Sequence, residues 1–141
     1  MVGLVNEMLL EADVVVYTSR EVVRASGEVS GLEVGSAVSA ALVDVMRRVD
    51  RELELGFVVA KGGITSSDVV TKGLGVRRAE VAGQMLPGIV SAWILPDDSD
   101  YPGLPYVVFP GNVGDEDALV KVIQKLRAGP DRGTTEWNGD D

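Results

Sequence analysis

The chain has 141 residues, with 13 Lys and Arg against 22 Asp and Glu for a formal net charge of −9, and it contains neither cysteine nor histidine. That length fits one domain with a real core. The two missing residue types exclude disulfides, thiol nucleophiles, thiolate or histidine metal sites, and any Ser-His-Asp or Cys-His group built from these residues. The acidic balance argues against nucleic-acid binding, which relies on Lys and Arg neutralising phosphates. No apolar run approaches the ~20 residues a membrane helix needs, so no membrane partner and a cytoplasmic location are expected. Chemistry is left to carboxylates, Lys, Arg, hydroxyls, backbone amides or a hard metal such as Mg²⁺.

Leu4, Met8, Leu9 and Ala12 share one helical face and predict a short helix leading into a buried strand at Asp13-Val-Val-Val-Tyr17. Residues 21 to 32 carry two Ser-Gly pairs and predict a loop with a brief helical turn at Glu21 to Arg24. Val34, Val38, Leu42, Val45, Val49 and Leu53 then recur at spacings of three and four, the stripe of an amphipathic helix that must cover a sheet or another helix. A strand is predicted at about Gly56 to Ala60, then a glycine turn, then a helix from Ser66 or Ser67 to Lys72 that Gly73 and Gly75 stop. Val76 to Ala82, Ile89 to Leu95 and Tyr106 to Phe109 read as further strands, with turns at Pro87-Gly88 and Pro96 to Asp100. A last helix is predicted from near Asp115, with acids in its first turn, Leu119, Val120, Ile123 and Leu126 on its buried side, and Lys125 and Arg127 near its end. Residues 130–141 lack periodicity and carry one base against four acids, the pattern of a flexible acidic tail after a domain at 1–129. The fold class expected is α/β: a layered fold with a mostly buried, mixed β-sheet flanked by helices.

Two strand-to-helix turns stand out. Lys61-Gly62-Gly63-Ile64-Thr65-Ser66-Ser67-Asp68 offers glycines without Cβ obstruction, hydroxyls and unpaired amides at a helix start, an arrangement suited to an anion. From Lys61 to Arg78 the bases Lys61, Lys72, Arg77 and Arg78 face Asp68 alone, so the acidic chain is locally basic there. The alternative is a plain turn capped by Thr65 or Ser66. Pro110-Gly111-Asn112-Val113-Gly114 repeats the pattern, and the two turns form one crevice if their strands are neighbours. A Walker A motif and a dinucleotide fingerprint are both missing. Arg20, after Tyr17-Thr18-Ser19, suits a phosphate or simple exposure equally well. Asp97, Asp98 and Asp100 read as a solvated loop before a Mg²⁺ site, and Asp68, placed in the first helical turn, as a helix-dipole partner before a metal ligand.

The blocks Tyr17 to Arg20, Ala60 to Asp68, Gly73 to Ala79, Gly83 to Gly88 and Pro102 to Gly114 together resemble the C-terminal nucleotide-binding domain of the four-carbon acid sugar kinases, over about residues 4 to 128. The resemblance implies an ATP-dependent kinase acting on threonate, erythronate or their oxo derivatives, with ATP on this domain and the sugar acid on an N-terminal domain that has no counterpart in these residues. It places nucleotide contacts at Gly62, Gly63, Ile64, Thr65 and Gly111, with Lys61, Ser66 and Asn112 as secondary candidates, and implies Mg²⁺ with the ATP. The hydroxyl-activating base is expected outside the chain, and this part alone is expected to be inactive. Apolar surface left by the missing half would favour a homo-oligomer. A non-catalytic nucleotide-binding or partner-docking module, and a phosphohydrolase using Asp68 and Mg²⁺, are the alternatives.

Overall fold

The computed structural model describes residues 1–19, 31–88, 90–130 and Trp137. Helix α1, Val2–Leu9, packs Val5 against Val45 and Val49, at and just past the end of helix α2, Gly31–Arg47. The α2 stripe is interrupted at its end: Val49 is buried and Leu53 half-buried, but both lie in the turns after Arg47. The helical turn expected at Glu21 to Arg24 lies outside the described residues.

Strands β1 (Val58–Lys61), β2 (Glu80–Leu86), β3 (Val90–Ile94) and β4 (Pro105–Phe109) form one sheet in the order β1-β4-β3-β2. β1 and β4 are parallel, with Lys61 opposite Phe109, and the other pairs are antiparallel, so the sheet is mixed as expected. Alternation along β4 divides its side chains between two cores. Val107 and Phe109 join Ala92, Val122 and Leu126 beneath helix α4, Ala118–Ala128, while Tyr106 meets Ala60, Val69 and Val70 beneath α2 and helix α3, Gly63–Asp68. A π-helical turn, Val69–Gly73, continues α3, with Leu74 N–H donating to Val69 O at 2.9 Å. It lies against α2, and a Cβ on Gly73 would meet Met46 at 3.3 Å.

Several expectations are corrected. Asp13 to Tyr17 is not a buried strand: it pairs with no neighbour among the described residues, Val14 and Val16 lean on the α1–α2 cluster, and Val15 and Tyr17 are 64% and 81% exposed. Asp13 is ion-paired with Arg127 on α4, and an open groove of about 1640 Å³ lies between this segment and β1. Val76 to Ala82 gives way to a strand beginning at Glu80, because the Val76 N–H donates to Val70 O and holds the chain under the π turn. The helix after the glycines starts at Gly63, where Ser66 N–H already bonds Gly62 O at 2.8 Å. Asp68 therefore ends α3 instead of opening it. The last helix starts at Ala118, since the Asp115 carboxylate turns to the Asp117 N–H and Lys121. Of residues 131–141 only Trp137 is described: it is 4% exposed, its N–H bonds Ala82 O and its O accepts from Gln84 N–H. Among the described residues no helix is long and apolar enough to cross a membrane.

Candidate functional site

β1 and β4, the parallel pair, end at the same edge of the sheet, and both glycine turns leave from there. The ladder runs one step beyond β1, with Gly62 N–H donating to Phe109 O at 2.8 Å. The chain then turns away at Gly62 with φ 108°, a conformation costly for any residue with a Cβ. Gly111 rests on that turn, since a Cβ there would stand 3.6 Å from Gly62 Cα. The second turn is fixed at Gly114, with φ 83°, where an added Cβ would stand 2.5 Å from that of Ala118. The two turns are thus one backbone-lined crest.

The candidates on that crest differ in what they offer. With its own N–H on Phe109, Gly62 contributes shape, while the amides of Gly63, Ile64 and Thr65 precede the first intrahelical bond and have no helical acceptor. Gly63 is exposed with open space around its Cα, Ile64 is 77% exposed, and the half-exposed Thr65 hydroxyl has no partner among the described residues. Lys61 stands 4.0 Å above the Phe109 ring and donates to Pro110 O at 3.2 Å, clasping the two turns together. Asn112 is exposed. Ser66 is different: its hydroxyl is buried and donates to Ala60 O at 2.7 Å, while its carbonyl accepts from the Tyr106 hydroxyl at 2.7 Å. Burial raises the Tyr106 phenol well above its ordinary range, so it stays a neutral donor. Sequence reading placed Ser66 among ligand contacts, whereas its hydroxyl holds the turn from below.

A family model for a nucleotide-binding C-terminal domain matches residues 2–119. The chain belongs to that domain of the four-carbon acid sugar kinase family. No curated protein and no solved structure matches it.

Within this nucleotide-binding domain the described carboxylates do not assemble a metal centre. No group of three or more acidic residues converges among the described residues. Asp68 accepts from Lys72 at 2.6 Å and from the Ser39 hydroxyl at 2.6 Å, and these bonds, the Lys72 one foremost, hold its pKa below the usual carboxylate value. It fastens α3 to α2 and is not offered to the crest. Asp100 pairs with Arg51 at 2.7 Å, and Asp97 and Asp98 are exposed loop residues. The described residues therefore form no carboxylate cage for Mg²⁺. Arg20 lies outside the described residues, while Thr18 and Ser19 are exposed beyond the unpaired segment. In the sequence Arg77 and Arg78 stand out for their charge and as part of the Gly73 to Ala79 block. Their place beside Gly63, lining a second cavity, needed the fold.

Proposed function

We propose that this domain holds the phosphates of ATP for a kinase acting on four-carbon sugar acids such as threonate and erythronate, working in the cytoplasm. The observation that carries the reading is the contact between the Gly62 and Gly111 turns at the carboxyl ends of the parallel strands, where open α/β sheets take their ligands. The amides of Gly63, Ile64 and Thr65, with the Thr65 hydroxyl, would donate to phosphate oxygens. Gly111 and Asn112 would border them from the second turn, and Lys61 would add a cation beside it. Positioning and charge stabilisation are what such a crest contributes to phosphoryl transfer. The sugar acid and the base that activates its hydroxyl would come from a sugar-binding domain outside residues 1–129, with 130–141 a tail fastened at Trp137.

Titrating ATP into the labelled chain should move the amide signals of Gly63 to Thr65 and Gly111 to Gly114 most. Gly63→Val should abolish those shifts and keep the fold, because nothing lies within 4 Å of the added Cβ while its branches block the ligand's approach. Unchanged affinity in that folded variant would refute the site. An ATP-coupled assay with threonate and erythronate should show turnover only when a sugar-binding domain is supplied. If the combined protein phosphorylates no four-carbon sugar acid, a non-catalytic nucleotide-binding module becomes the better account.

A further inference from the structure

A cavity of about 290 Å³ opens directly from the glycine turn, on the α3 face of the sheet, lined by Gly63, Ser67, Thr71, Arg77, Arg78 and Trp93. Its floor is apolar, with Val70, Val76 and Val108 beside the Trp93 ring. Trp93 is half-buried, fixed by its indole N–H to Ser91 Oγ at 3.2 Å and by the Tyr106 ring at 6.2 Å. Val76 is buried and bonded to Val70, and this anchors the start of the strip that carries Arg77 and Arg78 along the rim.

Those two arginines are unlike every other described cation. The remaining lysines and arginines each have an ion pair, a hydrogen bond or another polar partner. Among the described residues Arg77 and Arg78 have none, in a chain of net charge −9. Sequence alone counted four bases around the glycine turn, and the fold removes two: Lys72 serves Asp68, and Lys61 bridges the turns. What remains is a pair of guanidinium groups, unpaired among the described residues, over an apolar, aromatic floor.

We infer that this cavity seats the nucleobase end of the bound nucleotide, with the ring lying against Trp93, Val76 and Val108 and the Arg77 and Arg78 guanidinium planes flanking it. The inference rests on the nucleotide reading above and deepens it. The volume decides between parts of the ligand: it lies at the small end of ligand pockets, enough for a planar base and too small for a whole nucleotide. A phosphate alone would leave the apolar floor against a charged group. A base meets it with a π face, stacks on the guanidinium planes, and leaves the free positive charge to favour the anionic tail across Gly63. The exposed Ser67 hydroxyl at the rim supplies a polar group for the ring edge or the ribose.

The experiment uses the intact chain, excited where only tryptophan absorbs, with ATP, adenosine and inorganic tripolyphosphate as separate probes. Its two tryptophans differ, because Trp137 is buried beneath the opposite face and Trp93 lines the cavity. ATP and adenosine should quench the emission, tripolyphosphate should not, and Trp93→Phe should remove the response. The double substitution of Arg77 and Arg78 by Ala should weaken ATP about tenfold, as expected for losing stacked charged contacts. Both arginines are exposed, so the fold should survive, as an unchanged thermal midpoint would verify. A full Trp93 response to tripolyphosphate with none to adenosine would make the cavity a phosphate seat and overturn the inference. ATP that shifts the Gly63 to Thr65 amides while leaving Trp93 silent would overturn it and spare the proposed function. Loss of both signals would remove the two together.

Discussion

The two outer strands of the sheet are held in different ways. At the β2 edge the chain supplies its own cover: Trp137 bonds Ala82 and Gln84 through its backbone and buries its indole in the core beneath α4. At the β1 edge the described segment Ala12 to Thr18 lines an open groove and stays unpaired. β1 is secured through its face instead, by Ser66 Oγ on Ala60 O and, one layer out, by Asp68 bridging α3 to Ser39 and Lys72. The lesson is that an edge strand can be kept in register without an edge partner when its following turn is bolted from beneath. Among the described residues it also leaves β1, the strand before the first glycine turn, with one side unpaired.

Trp137→Ala is the largest test of that contrast. Removing a buried indole should cost about 3–5 kcal/mol in chemical denaturation. Tyr17→Ala on the opposite flank should stay within about 0.5 kcal/mol, the range for surface changes, since Tyr17 is 81% exposed. Comparable losses from both would mean that the Asp13 to Tyr17 segment pairs with β1 in solution, and the contrast would be gone.

Ser66→Ala probes the face that secures β1. It leaves the buried Ala60 carbonyl short of a donor, which should cost about 1–3 kcal/mol. Tyr106→Phe removes the neighbouring bond to Ser66 O and should lower stability by about 1 kcal/mol. If neither substitution moves the denaturation midpoint, β1 is held by something other than these two hydroxyls.

Much of the molecule was readable in advance, and two of the misses share a cause. Tyr106-Val-Val-Phe109 and Asp13-Val-Val-Val-Tyr17 look alike as short apolar runs, yet the first has β1 and β3 on its two sides and the second has no partner among the described residues. Strand pairing depends on residues far away in sequence, which periodicity does not report. Trp137 was unreadable for the same reason, since its contacts lie at Ala82 to Gln84. The start of α3 was misplaced because the sequence offers Thr65 and Ser66 as caps, whereas Gly62 takes that position without a side-chain bond. The crest itself was legible, because adjacent glycines after an apolar run require a turn wherever the strand ends up. What separated Ser66 from Thr65 was the direction of each hydroxyl, a property of the folded backbone alone.

The smallest expected effect concerns acid, and it sharpens the account of the β1 flank. The Lys72 ammonium and the Ser39 hydroxyl stabilise the ionised Asp68 carboxylate, lowering its folded pKa beneath the ordinary value of 3.8. The unfolded chain therefore binds this proton more readily than the folded one. The contribution is present in full above the unfolded value and is lost as pH falls through the lower, folded value. Lys72 is 62% exposed, so solvent screens the pair and the effect stays modest. Asp115, lowered chiefly by Lys121, adds a loss of the same sign at α4 and must be separated from it. Thermal midpoints of the parent chain and of Asp68→Asn, followed from pH 6 downward, accomplish that. The gap between them should be constant near neutrality and close below about pH 4, while the Asp115 share remains in both. A gap that persists unchanged into stronger acid would show that Asp68 ties α3 to α2 by shape and not by charge.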